Sequence, residues 1–101
     1  MENTKILTYI LNEEEKKKLK DVMADDIRFE YQDVMEIPYE DRIKRNYVYR
    51  GVLGNSKVDV TIEEESYPDV PQARNTIYIV PENTSNRVFS QIHTWLKKAI
   101  K

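Results

Sequence analysis

One histidine, His93, and no cysteine set the limits of the side-chain chemistry open to this chain of 101 residues. Without cysteine there is no thiolate nucleophile, disulfide framework or cysteine-ligated zinc site. His93 falls at the edge of the apolar arc of a C-terminal helix, where a histidine reads as structural, and there is no second histidine for a two-histidine metal site. The other acid/base candidates are the carboxylates of Asp25, Asp26, Glu63, Glu64, Glu65 and Asp69. Paired carboxylates can share proton transfer or hold a hard cation, but only where they converge. Neighbouring acids on a strand point to opposite faces, and neither a calcium-loop nor a D-x-D spacing is present. Gly51 and Gly54 are the only glycines, which leaves no phosphate-cradling loop and no dinucleotide fingerprint. The expectation is a non-enzymatic protein with no catalytic residues, metal or cofactor.

Binding chemistry is better represented. Seven tyrosines are present, and Tyr39 and Tyr67 fall in segments that read as loops rich in acid. Glu36, Glu40 and Asp41 flank the first; Glu63, Glu64, Glu65 and Asp69 flank the second. Tyrosine brings broad amphipathic contact area at low conformational cost and is enriched at protein interfaces. These nine residues are therefore the candidate partner-binding set. The expected function is an inhibitor, adaptor or accessory factor that docks on another protein. Its most specific form is an inhibitor of a nucleic-acid enzyme, of the kind mobile elements carry, with carboxylates standing where phosphates would lie.

Two alternatives belong to other classes. Arg42, Lys44, Arg45 and Arg50 interleave with Tyr47 and Tyr49, as in a single-strand nucleic-acid platform. A stacking platform needs its aromatics exposed, whereas the hairpin register below turns both tyrosines towards the core, which disfavours RNA or DNA as the partner. The third reading is a small enzyme or ligand-binding domain with a pocket between the last helix and the sheet; a space filled by Phe89, Ile92, Trp95 and Leu96 would count against it.

These residues need elements to position them. Residues 4–11 (TKILTYIL) are β-branched and aromatic and read as a strand buried on most sides. Asn12 with Glu15 has capping-box spacing, and Glu13 to Glu15 suit the positive end of a helix dipole. That helix offers only Leu19, Val22 and Met23 as an apolar stripe, so it should pack lightly. Alternation in residues 27–31 sets Ile27, Phe29 and Tyr31 on one strand face. Residues 36–45 read as a connection and 64–75 as the longest loop. Around Gly54-Asn55, a two-residue type II′ turn pairs Leu53 with Ser56, Tyr49 with Val60, Tyr47 with Ile62 and Arg50 with Asp59. Residues 76–80 form a short strand, with an edge open to homodimer pairing. The last helix gathers Val88, Phe89, Ile92, Trp95, Leu96, Ala99 and Ile100 within one arc.

The fold expected from this order is α+β, with a mostly antiparallel sheet of about four to five strands. The C-terminal amphipathic helix covers one face and a short, lightly packed N-terminal helix accompanies it. One domain over residues 1–101 fits the length, with no room for a second core. The absence of a long apolar run points to a soluble cytoplasmic protein rather than one in a membrane. The net charge of -2 hides a pattern: residues 21–41 carry -7, 42–57 carry +5, 59–69 carry -5 and 74–101 carry +4. Arg50 opposite Asp59 already shows that part of this alternation is cross-strand compensation.

Overall fold

The computed structural model describes residues 6–71 and 73–101. The elements in chain order are β1 (Leu7–Leu11), α1 (Glu13–Asp25), β2 (Phe29–Pro38), β3 (Ile43–Leu53), β4 (Ser56–Ser66), β5 (Arg74–Pro81) and α2 (Asn86–Ala99). The strands form one five-stranded sheet in the order β1-β5-β4-β3-β2, with every neighbouring pair antiparallel. This is the α+β architecture expected from the sequence, with both helices on the sheet's apolar face.

The central hairpin follows from its turn. Gly54 has φ +60° and Asn55 a negative φ, as a type II′ turn requires. The register is the expected one, including Tyr49 opposite Val60 and Arg50 opposite Asp59. It puts Val58, Val60 and Ile62 on the inner face, where Ile77 and Ile79 of β5 join them, all buried. α2 closes this layer with buried Val88, Ile92, Leu96 and Ala99, and Ser85 caps it by accepting from the Val88 N–H. Burying each of these valine, isoleucine and leucine side chains stabilises the fold by about 1.5–3 kcal/mol.

α1 starts at the expected capping box. The Asn12 side chain accepts from the Glu15 N–H at 2.8 Å, and Glu15 returns the bond to the Asn12 N–H at 3.0 Å. The helix then crosses the sheet. Glu13 meets Asn75 of β5, Lys16 meets Glu64 of β4, and Lys20 lies over Tyr47 of β3. Its narrow apolar stripe is enough because Leu19 and Met23 are buried where the crossing is closest.

Several expectations need correction. Residues 36–45 are not a connection: β2 continues to Pro38, pairs through to Ile43 of β3, and turns only over residues 39–42. Glu36 opposite Arg45 makes the charged run a matched cross-strand pair, and a proline is tolerated because β2 is an edge strand. Residues 64–66 likewise belong to β4, and Arg74 already belongs to β5. β5 is not an edge; it lies between β1 and β4, so homodimer pairing through it is ruled out. The edges are β1 and β2, and β1 is correspondingly open, with Ile10 exposed rather than buried; Thr4 and Lys5 of that expected strand lie outside the described residues. Ile27 is fully solvent-exposed and precedes β2 instead of joining its inner face. Asp26 accounts for this: its carboxylate accepts from the Arg28 N–H at 2.9 Å and pairs with the guanidinium at 2.6 Å, which delays the strand to Phe29.

Candidate functional site

The hairpins put the turn at 39–42 and the segment following Ser66 at the same end of the sheet, opposite the Gly54 turn. Ile43 stands opposite Ser66, and Arg42 pairs with Glu65 at 3.1 Å. The two tyrosine-bearing segments are thus neighbours in space. Tyr39 is 44% exposed and Tyr67 37%, and Val70 and Met35 add exposed apolar surface, whereas Ile43 and Val34, exposed as well, share the inner face with Tyr47 and Tyr49. The Arg42 guanidinium lies 4.3 Å over the Tyr39 ring and orients it. The Tyr67 hydroxyl donates to Glu65 at 3.3 Å.

The acids expected to serve a partner divide into two groups. Glu63, Glu64 and Glu65 are strand residues whose side chains alternate between faces and are only 12–18% exposed. Each has a cation inside the protein. Lys44 stands 3.9 Å from Glu63, Lys16 and Arg45 stand 2.6 and 3.5 Å from Glu64, and Arg42 faces Glu65. Glu36 is more exposed but holds Arg45 at 3.0 Å. Glu40, Asp41 and Asp69 remain open to solvent, with Asp41 beside Arg42 at 2.9 Å.

The bases of the nucleic-acid alternative are matched by these same contacts. Arg42, Lys44 and Arg45 are spoken for, and Arg50 stands 3.4 Å from Asp59. Tyr47 and Tyr49 face the helices as the register implied, and burial holds both phenols above their ordinary pKa. No single face collects the four bases: Arg45 lies on the inner face with Glu64, whereas Lys44 and Arg50 lie on the outer.

The ion-pair chain beneath α1 was not legible in the sequence. Lys16 is buried between Glu13 at 2.7 Å and Glu64 at 2.6 Å, and the Asn75 amide donates to Glu13 at 3.0 Å. The hydrogen bonds from Lys16 and Asn75 hold the Glu13 carboxyl below its usual range. Burial acts to lower the Lys16 pKa, but its two carboxylates outweigh it and the pKa is raised. Only the i,i+3 spacing of Glu13 and Lys16 hinted at this; Glu64 and Asn75 arrive through strand pairing. His93 is exposed on α2 with its Nδ1 3.2 Å from the Tyr9 hydroxyl, and Trp95 stacks on Phe29 at 5.1 Å. With Ile92 and Leu96 buried, the space between α2 and the sheet is occupied by side chains.

Among the described residues, no group of His, Cys, Asp and Glu side chains gathers in a way that could hold a metal ion, and no helix is long and apolar enough to cross a membrane. The fold defines the class: a small α+β domain with one five-stranded antiparallel sheet and two helices on one face. No protein-family model, curated protein or solved structure matches this chain.

Proposed function

We propose that this protein is a non-enzymatic protein-binding module that docks through the end of the sheet carrying Tyr39 and Tyr67. The observation that carries the reading is the convergence of two segments distant in sequence on one patch, where exposed tyrosines and aliphatics sit beside unburied acids. That mixture of aromatic contact area and polar rim suits a protein interface. Its working groups are Tyr39, Glu40, Asp41, Tyr67, Asp69 and Val70. Glu63, Glu64 and Glu65 support the patch from below by fixing Lys44, Arg45 and Arg42. The phosphate-imitating form of the reading draws little from the geometry, because Glu63, Glu64 and Glu65 of its acidic blocks are already paired with cations of the protein. Nucleic-acid binding through Arg42, Lys44, Arg45 and Arg50 is disfavoured for the same reason.

The test is site-specific photo-crosslinking in the native host, with the photoreactive group at Tyr39 or Tyr67 and, as a control, at Thr94 on the exposed side of α2. A discrete protein adduct from the first two positions, absent from Thr94 and weakened about tenfold by Val70→Asp, is expected. Adducts that form equally at Thr94, or none at Tyr39 and Tyr67, would overturn the reading.

A further inference from the structure

A second feature lies on the inner face, between the C-terminal half of α1 and the edge of the sheet. Met23 and Ala24 of α1, Phe29 and Tyr31 of β2, and Tyr47 and Tyr49 of β3 line an open cleft of about 470 Å³. That volume is in the range of small-molecule sites, which are mostly apolar with a few placed polar groups. The rings are held in place before anything binds. Tyr31 meets Tyr49 edge to face at 5.2 Å, and Phe29 is stacked on Trp95. Lys20 brings the one charge of the lining, with its ammonium 3.9 Å over the Tyr47 ring.

Lys20 differs from Lys16 and Lys18. Lys16 and Lys18 on the same helix each hold a carboxylate. Among the described residues, Lys20 has none within ion-pairing distance, and the ring face of Tyr47 is its close contact. A half-buried ammonium over an aromatic wall, with Glu13 acting on it only at longer range, leaves a positive charge without a direct counter-ion beside an apolar cleft. A complementary occupant needs a flat apolar body to lie among the rings and an anionic group to reach the ammonium.

We propose that this cleft is a binding site for a planar aromatic carboxylate, its ring system lying among Tyr31, Tyr47 and Tyr49 and its carboxylate paired with Lys20. The site is separate from the Tyr39 and Tyr67 patch and does not depend on it. The test is titration of the isotope-labelled full chain with 2-naphthoate, followed by amide chemical shifts, in parallel with the uncharged 2-naphthylmethanol and with decanoate. Saturable shifts confined to Lys20, Ala24, Tyr31, Tyr47 and their neighbours are expected with 2-naphthoate. The alcohol should bind about tenfold more weakly because it lacks the ion pair, and decanoate more weakly because it lacks the ring. Lys20→Met should bring 2-naphthoate down to the level of the alcohol. Ala24→Trp, at a solvent-exposed helical position that leaves the core untouched, should fill the cleft and abolish both. The proposal is overturned if 2-naphthoate gives no saturable shift at millimolar concentration, if the alcohol or decanoate binds as tightly, or if either substitution leaves binding unchanged.

Discussion

Gly51 shows how one residue's meaning changes between sequence and structure. In the sequence it belongs with Gly54 to a hairpin tip, but only Gly54 has the positive φ of the turn. Gly51 pairs with Phe29 across β2 and β3, and a methyl group on it would fall within the envelope of the Phe29 ring. The missing side chain is what lets that ring lie flat on β3 and stack on Trp95. Gly51→Ala is therefore expected to destabilise by about 1–3 kcal/mol, the usual cost of overpacking a filled site. The measurement is the urea midpoint together with the emission of Trp95, the only tryptophan, which should move as its stacking partner is displaced. An unchanged midpoint and spectrum would show that Phe29 can move aside freely.

At the scale of elements, α1 is held by an ion-pair chain as much as by its apolar stripe. Lys16 joins Glu13 on its own helix to Glu64 on β4, and Asn75 of β5 secures Glu13. The Glu13 carboxyl has a lowered pKa in the folded protein, so in acid the unfolded chain takes up its proton first. Its contribution is present above the unfolded value, about 4.3, and is lost as pH falls through the folded one. Lys16 runs the other way: its raised pKa gives a contribution present at neutral pH and lost as pH rises through that value. Urea midpoints of the native chain should fall as pH is lowered from about 5 to 3, and those of Glu13→Gln should fall less, since that side chain no longer titrates. Parallel curves for the two proteins would mean that Glu13 does not couple α1 to the sheet. Of this element, the helix and its cap were legible because both are local. The anchor was not, because Glu64 and Asn75 reach Lys16 and Glu13 only after β4 and β5 pair.

At the scale of the whole molecule, the sheet's long edge is β2. Exposed apolar side chains there would ordinarily invite another strand. β2 carries devices that oppose this. The register shifts between Tyr31 and Asp33, the Asp33 carboxylate accepts from the Val34 N–H at 2.8 Å, and Pro38 has no N–H. Glu30, Asp33 and Glu36 add negative charge with no base on the strand, so two copies of β2 would set acid near acid. The double substitution Asp33→Val and Pro38→Val removes two of these devices and adds β-branched side chains. It is expected to self-associate, visible as an earlier, concentration-dependent elution in size-exclusion chromatography. If it elutes like the native chain, the edge is protected by something other than these residues. The same exposed apolar groups are better suited to contact through side chains than to strand addition, which agrees with the docking surface proposed at this end.

Local order and short-range pairing were determined by the sequence itself: the capping box at Asn12, the Gly54-Asn55 turn and its register, the apolar arc of α2, and the α+β class that follows from them. Each is set by residues within a few positions of one another, where backbone geometry and side-chain periodicity leave little choice. Three things were decided only by the tertiary structure. Strand order made β1 and β2, rather than β5, the exposed edges. The full length of the hairpins shortened two apparent loops by pairing their ends as strands and brought Tyr39 and Tyr67 to one end. Cross-strand and helix-sheet contacts matched Glu63, Glu64 and Glu65 with Lys16, Arg42, Lys44 and Arg45, while leaving Lys20 over Tyr47. Charge complementarity acts across space, so the alternating charge blocks become ion pairs, open patches or a charged cleft only when distant strands are laid side by side.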